Sequence, residues 1–379
     1  MLKRGAKPGS PTPVPELRLI SADSHVVEPL TLWAERVDAR FRARAPHLER
    51  EVGGRPGAYM VCEDAPTVSL QAYFGAGLSA DEIAAAFTEE QPGIRRGGFD
   101  PVARVADMAQ DGVAAEVLYP SIALQLFRLG DGALQAECFR AYNDWLAEFC
   151  RQAPQRFAGV ALVSLADVPV GVRELERARG LGLGGAMVWC APPQGDSYAG
   201  EKYAAFWSAA AATNTPVSLH LGTNRELAAP GESLAIAYMM TIQPVQRALA
   251  QLILGGVLER HPALRLVSVE NEIGWLPHFL ARLDHGAEKY HAVAQLTLTM
   301  RPSEVFRRQV VATFQEDALG VELRHRIGVE NLMWASDYPH MDSTWPRSRE
   351  VIARDFAAVP DAERALILGG NAVRLYGLA

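Results

Sequence analysis

The sequence predicts an α/β fold, a (β/α)8 or TIM barrel, because eight short apolar runs alternate along it with helix-like segments. The runs are continuous stretches of apolar and β-branched residues, as expected for parallel strands that are buried on both faces. Helices between consecutive strands are typical of βαβ units, and eight such units form a barrel. The runs span residues 17–25, 114–121, 157–165, 184–190, 216–222, 264–271, 309–317 and 331–338.

The segments between the runs have the length and periodicity of helices. In the last of them one apolar face is marked by Ile273, Leu276, Phe279, Leu280 and Leu283. A doubly wound open sheet fits less well, since it has fewer strands and usually a Gly-rich turn after the first strand, where this chain has SADSHVVEP. The predicted helices span residues 100–112, 133–152, 168–182, 202–213, 245–261 and 273–291.

Two connections are too long for a bare barrel. Residues 26–100 follow the first strand and include a predicted helix at 79–87, and a loop containing AAPGES follows the fifth strand. Both insertions begin at the carboxyl ends of strands, where barrels build their active sites, so they predict a cap over a pocket. We expect residues 1–16 to be a flexible Pro-rich leader and residues 17–379 to form a single barrel domain.

Composition restricts the class of partner. The net charge is -7 and the Lys and Arg residues are scattered, which argues against nucleic acid or a membrane as a partner and favours a small molecule. No apolar run approaches the ~20 residues that span a bilayer, and the N-terminus lacks the apolar core of a secretion signal. We therefore expect a cytoplasmic protein, in which Cys62, Cys138, Cys150 and Cys190 are free buried thiols.

Metal-ligating residue types lie at the ends of four predicted strands. They are Asp23 and His25 on the first, His220 on the fifth, Glu270 on the sixth and Asp337 on the eighth. In a barrel these ends converge on one pocket, and residues i and i+2 of a strand point to the same side. Imidazole nitrogens and carboxylate oxygens together suit a divalent cation with open positions for water or substrate.

Two of the candidate residues have open roles. Glu270 could be a further ligand, or a general acid or base whose pKa is raised by burial beside other carboxylates. His340, in LMWASDYPHMDSTWP, could cap a turn, bind a substrate carboxylate or relay a proton. For both residues a purely structural role is the alternative.

Several motifs carry a family resemblance: SADSHVVEP, VSLHLG, VSVENEIGWLPHFLARLDH, MWASDYPHMDSTWP and LILGGNAVRLYGL. They resemble the amidohydrolase-2 branch of the metal-dependent amidohydrolases, which includes aminocarboxymuconate semialdehyde decarboxylase and gamma-resorcylate decarboxylase. The resemblance implies that Asp23, His25, His220 and Asp337 bind the metal, and that Asp337 also moves protons.

This chain departs from the family pattern at two places. Asp23 stands where many relatives have His, and Glu270 stands where a sixth-strand His is common. A more anionic site favours a hard ion such as Mn²⁺ or Mg²⁺ over Zn²⁺. The identity of the one divalent ion stays open among the three.

The resemblance implies a carbon-carbon lyase that decarboxylates an aromatic or conjugated carboxylic acid, with Asp337 or Glu270 protonating the carbon that loses carbon dioxide. The alternative is a hydrolase in which Asp337 activates water to attack an amide, ester, lactone or carbon-carbon bond of a carbonyl substrate. A third hypothesis is a non-catalytic barrel with a decayed site. Candidates for binding a substrate carboxylate are Arg95, Arg96 and Arg104, although each is better explained as solvated. The resemblance also implies a homodimer.

Overall fold

The barrel is present in the computed structural model, which describes residues 18–70, 74–79, 81–82, 95–224, 233, 236 and 239–378. Eight parallel strands pair in the order β1, β5, β6, β7, β8, β9, β10, β11, and helices surround them, so the predicted fold class is confirmed. The strands are β1 (Leu19–Val26), β2 (His47–Val52), β3 (Arg55–Val61), β4 (Val68–Ser69), β5 (Val113–Pro120), β6 (Phe157–Leu162), β7 (Gly185–Val188), β8 (Val217–His220), β9 (Leu266–Val269), β10 (Val310–Phe314) and β11 (Leu332–Trp334).

Hydrogen bonds between β1 and the segment that follows β11 join the first and last strands. The Asp337 amide donates to the Asp23 carbonyl at 3.0 Å, and the His25 amide donates to the Tyr338 carbonyl at 2.6 Å. The barrel therefore closes at the residues in which the sequence predicts a metal site.

The insertion after β1 contains a small sheet that the sequence did not reveal. Strands β2, β3 and β4 pair antiparallel, and only part of this sheet is buried. The short helix Leu32–Arg36 precedes it. Residues 80 and 83–87 of the predicted helix at 79–87 lie outside the described residues, as do the leader at 1–16 and residues 228–232 of the AAPGES loop.

The helices lie close to their predicted positions with one exception. The segment 245–261 forms two helices rather than one, because the chain turns at Gly255 and Gly256, and Gly256 has a left-handed φ of 71°. The described helices are α1 (Leu32–Arg36), α2 (Pro101–Asp111), α3 (Gly132–Arg151), α4 (Val168–Gly180), α5 (Ala204–Ala212), α6 (Ile242–Leu254), α7 (Val257–Arg260), α8 (Leu276–Tyr290), α9 (Pro302–Gln309), α10 (Ala318–Glu322), α11 (Arg324–Ile327), α12 (Ser348–Asp355), α13 (Asp361–Ala365) and α14 (Asn371–Tyr376).

Aspartates start the helices that follow the barrel strands. The side chains of Asp100, Asp131 and Asp167 accept hydrogen bonds from the first free amides of α2, α3 and α4. Such caps satisfy amides that have no partner within the helix, so they fix where each helix leaves its loop. The apolar face predicted for α8 packs on the barrel, where Leu276, Leu280 and Leu283 are buried.

The cysteines and the hydropathy of the helices match the sequence-based expectation. All four cysteines are free and buried. Among the described helices, none is both long enough and apolar enough to cross a bilayer.

Candidate metal centre

The structure brings the predicted ligands together at the carboxyl-terminal mouth of the barrel. Asp23 and His25 lie in β1, and His220 is the last residue of β8. Glu270 and Asp337 lie just beyond β9 and β11 rather than within them, so the predicted strands 264–271 and 331–338 extend too far. Both residues adopt a left-handed φ of 57°, which ends the strand geometry.

The distances between these side chains define one compact site. His25 Nε2 lies 3.4 Å from Asp23 Oδ1 and 3.1 Å from Asp337 Oδ1. His220 Nε2 lies 3.6 Å from Asp23 Oδ1 and 3.6 Å from Glu270 Oε2. One donor atom from each of Asp23, His25, His220 and Glu270 lies within 4.8 Å of the others, close enough for a single ion.

The donor atoms of the site lack hydrogen-bond partners. Within the described part of the chain, both carboxylate oxygens of Asp23 and of Asp337 are buried without one, and so are Nε2 of His25 and of His220. Burying a charged or polar atom without a partner is costly, so such atoms are rare in folded proteins. A converging set of unpaired oxygen and nitrogen donors fits a divalent cation.

The other nitrogen of each imidazole holds its ring in place. His25 Nδ1 lies 2.5 Å from the Pro120 carbonyl, and His220 Nδ1 lies 2.8 Å from the Leu221 carbonyl. A backbone carbonyl accepts only from a protonated nitrogen, so both rings carry hydrogen on Nδ1 and direct Nε2 into the site. This is the usual arrangement of metal-binding histidines.

The carboxyl groups of the site differ in the direction in which their pKa values are shifted. Burial by itself would raise the pKa of Asp23, but His220 and His25 outweigh it and the pKa is lowered. Burial also opposes ionisation of Asp337, and His340 and His25 together lower its pKa. Burial and the neighbouring charges of Asp337 and Asp23 instead raise the pKa of Glu270 well above its ordinary value. Of the two departures from the family pattern, Asp23 therefore adds negative charge to the site, whereas Glu270 favours its protonated form.

His340 also faces the site, as the sequence suggested. Its Nδ1 lies 3.0 Å from Asp337 Oδ1, and its ring packs on that of His25 with centroids 3.9 Å apart. Its Nε2 lies 2.9 Å from the hydroxyl of Ser121. His340 therefore links Asp337 to the end of β5.

Sequence reasoning missed the residues that hold this link in place. Glu28 is buried, and its carboxylate accepts hydrogen bonds from the amides of Ile122 and Ala123, each at 2.9 Å. These bonds fix the turn that carries Ser121. The motif SADSHVVEP contained Glu28, but a Glu after a strand is ordinarily solvated, so no pattern in the sequence indicated its burial.

The arginines proposed as carboxylate-binding groups do not line the site. Arg104 is fully buried beneath it, where its Nε bonds Glu116 Oε2 at 2.6 Å, so the expectation that it is solvated was wrong. Arg95 pairs with Asp107 and stacks on the ring of Trp345. Arg96 is largely exposed and pairs with Asp100.

The chain belongs to the amidohydrolase family, whose model matches residues 37–378, and the predicted family is thereby confirmed. It is 25% identical over 295 residues to the gamma-resorcylate decarboxylase of Polaromonas sp. (strain JS666), an alignment that covers 73% of this chain and 86% of that protein. This relative agrees with the prediction of a metal-dependent decarboxylase.

Solved structures share the fold. A crystal structure of an amidohydrolase from Mycobacterium avium subsp. paratuberculosis matches 96% of this chain and 100% of its own, with a TM-score of 0.79 and 22% identity. A dihydroxybenzoic acid decarboxylase from Polaromonas sp. JS666, solved with manganese and the inhibitor 2-nitroresorcinol, matches 95% of this chain and 97% of its own, with a TM-score of 0.66 and 19% identity. The predicted divalent cofactor agrees with the manganese in that structure and with the unpaired donors here.

Proposed function

We propose that this protein is a metal-dependent decarboxylase of an aromatic carboxylic acid. Asp23, His25, His220 and Asp337 are the proposed metal ligands, and Glu270 and Asp337 the proposed proton donors. The observation that supports this best is the set of buried, unpaired oxygen and nitrogen atoms at the barrel mouth. The names of the relatives supply the substrate class.

A divalent cation held by these residues would supply positive charge that orients the substrate carboxylate and stabilises its oxygens. Asp23, His25 and His220 are fully buried, so they are suited to binding rather than to proton exchange with solvent. The side chain of Glu270 is 20% exposed, so it lies at the open edge of the site, where a substrate ring can approach it.

The proposed chemistry is one proton transfer followed by one bond cleavage. Glu270, whose raised pKa favours the protonated carboxyl group, donates a proton to the ring carbon that bears the carboxylate. Asp337, whose pKa is lowered, would have to accept a proton before it could take this role. The bond between that carbon and the carboxylate then breaks, its electron pair restores the aromatic ring, and carbon dioxide leaves. His340, whose Nδ1 lies 3.0 Å from Asp337 Oδ1, acts on that carboxylate electrostatically.

The test is release of carbon dioxide by manganese-loaded protein from hydroxylated benzoic acids in D₂O. We expect carbon dioxide and a phenol in equal amounts, with deuterium at the vacated ring carbon. His220→Ala and Asp337→Ala should remain folded by circular dichroism, lose bound metal and release no carbon dioxide. Glu316→Gln is the matched control, because Glu316 is 48% exposed and pairs with Arg354.

Two other outcomes would contradict the proposal and indicate a different function. Metal-loaded protein that releases no carbon dioxide but cleaves esters, amides or lactones would be a hydrolase. Wild-type protein that cannot be loaded with Mn²⁺, Mg²⁺ or Zn²⁺ would be the non-catalytic barrel.

We also propose that the protein acts in the cytoplasm as a homodimer. Four free, buried cysteines suit a reducing compartment, where disulfides are rare. The proposal of a dimer rests on the family resemblance. Light scattering coupled to gel filtration tests it, and a mass equal to one chain would contradict it.

A further inference from the structure

Two polar side chains beside the metal centre have buried atoms without partners and do not belong to the ligand set. Gln315 directly follows β10 and is 6% exposed. Among the described residues, neither its Nε2 nor Oε2 of Glu272 has a hydrogen-bond partner. An amide donor and a carboxylate acceptor are thus both unsatisfied, which is costly unless a ligand completes them.

The two residues follow neighbouring strands and lie at the barrel mouth. Strands β9 and β10 are parallel neighbours, so the residues that follow them meet at the same edge of the barrel. The backbone N–H of Gln315 donates to Glu272 Oε1 at 3.4 Å, which joins the two turns. Glu272 lies two residues after Glu270, the proposed proton donor, and the carboxylate of Asp342 acts electrostatically on both.

The turn that carries Glu272 is held in a strained conformation. Glu270 and Glu272 have left-handed φ values of 57° and 52°. The Glu270 amide donates to Thr313 Oγ1 at 3.0 Å, and Asn271 Nδ2 donates to the Val269 carbonyl at 2.7 Å. Left-handed backbone at residues other than Gly is uncommon and concentrates at ligand-binding sites, where the surroundings maintain it. The turn therefore presents Glu272 in a fixed position.

We propose that Glu272 and Gln315 bind a hydroxyl group on the ring of the substrate, an inference that rests on the proposed function. A hydroxyl can donate to Glu272 Oε2 and accept from Gln315 Nε2, so it satisfies both atoms at once. Burial raises the pKa of Glu272 to about 8, and a hydroxyl can pair with this group in either protonation state because it both donates and accepts. An ammonium would offer no acceptor to Gln315. A ring with hydrogen at this position would leave both atoms unpaired, so the site discriminates against it.

The test compares 2-nitrophenol with 2-nitrophenols that carry one further ring hydroxyl, 2-nitroresorcinol among them. A nitro group stands in for the carboxylate and cannot leave as carbon dioxide, so affinities can be measured at equilibrium. Isothermal titration calorimetry with manganese-loaded protein should show that at least one hydroxylated probe binds about tenfold or more tighter than 2-nitrophenol.

Substitutions then assign that preference to the pair. In Gln315→Met and Glu272→Met the preference should fall to within about twofold, while the affinity for 2-nitrophenol and the bound manganese stay unchanged. Glu272→Gln keeps an oxygen acceptor and should retain part of the preference. Glu316→Gln removes a carboxylate that acts on Glu272 but leaves the pair intact, so it should keep the full preference.

Two results would overturn the inference alone. One is wild-type protein that binds 2-nitrophenol but does not prefer any hydroxylated probe, and the other is a preference that survives in both Met variants. Neither result affects the proposed function, which carbon dioxide release tests. If no nitrophenol binds metal-loaded protein, the inference fails together with the aromatic acid as substrate class.

Discussion

Two groups of buried charged residues lie next to each other in this barrel, and their hydrogen bonding differs. In the group around Arg104, its Nε bonds Glu116 at 2.6 Å and its Nη1 bonds the His25 carbonyl at 2.6 Å, while Ser24 donates to Glu116 at 3.2 Å. In the metal centre, the donor atoms of Asp23 and His220 have no partner among the described residues. Buried charge is common to both, so the missing partners are what indicate a ligand.

The hydrogen-bonded group around Arg104 supports the metal centre, whose donor atoms lack partners among the described residues. Arg104 bonds the backbone of His25 and stacks on the ring of Tyr338, with its guanidinium carbon 4.4 Å from the ring centroid. These residues belong to the two segments that close the barrel and carry proposed ligands. A balanced ion pair thus stabilises the backbone that carries the unpaired carboxylates.

The largest expected effect on stability is at the buried ion pair of Arg104 and Glu116. Arg104→Met leaves the buried Glu116 carboxylate without its cation, which should lower the free energy of unfolding by about 3–5 kcal/mol. Urea denaturation followed by circular dichroism measures this. The double variant Arg104→Met/Glu116→Leu should recover most of the loss, because it removes both charges. A single variant as stable as wild type would show that the pair contributes nothing.

The next largest effect is on metal binding at the unpaired group. His220→Ala removes a ligand and should weaken Mn²⁺ binding by more than about 100-fold, which is the upper range for losing a residue that only supports a ligand. Electron paramagnetic resonance of free Mn²⁺ measures the affinity. The stability of the metal-free protein should change little.

An exposed histidine provides the control for that experiment. His278 lies on the exposed face of α8, so His278→Ala should bind Mn²⁺ like the wild type. Equal affinity in wild type and His220→Ala would rule out His220 as a ligand.

A smaller effect is expected at Ser121, whose hydroxyl contacts His340 beside the metal centre. Ser121→Ala removes the hydroxyl 2.9 Å from His340 Nε2, so His340 should hold Asp337 less firmly and Mn²⁺ affinity should fall about tenfold. Ser121→Thr retains the hydroxyl and should bind Mn²⁺ nearly as the wild type does. If the Ala and Thr variants lose affinity equally, the hydroxyl has no positioning role.

The smallest effect is expected at a charged pair outside both groups. Arg177 bonds Asp144 and Glu174 between α3 and α4, but about a third of its side chain is exposed. Arg177→Met should cost about 0.2–1 kcal/mol of unfolding free energy, and added NaCl should reduce that difference. A loss as large as that of Arg104→Met would show that burial does not distinguish the two pairs.

The sequence predicted the barrel because the apolar patterns of its strands and of its helices each extend over only a few neighbouring residues. Each barrel strand and six of the helices could be located from a short apolar pattern, and the strand ends brought Asp23, His25, His220, Glu270 and Asp337 to one mouth. The limits of single elements were less accurate. Gly255 and Gly256 divided a predicted helix, and β9 and β11 ended before the left-handed residues Glu270 and Asp337 that the predicted strands included. The boundary between the leader and the barrel domain stays a prediction.

The sequence by itself determined which residue types stand at the strand ends, and therefore that a divalent cation could be bound there. Only the tertiary structure decided which polar atoms have partners. Ser121 and His340 are 219 positions apart, and Glu28 receives the amides of a turn more than ninety positions away. The unpaired atoms of Glu272 and Gln315 likewise depend on how two distant turns pack. Hydrogen bonds form between groups that are close in space, and a pattern along the chain does not show which buried groups will lack a partner.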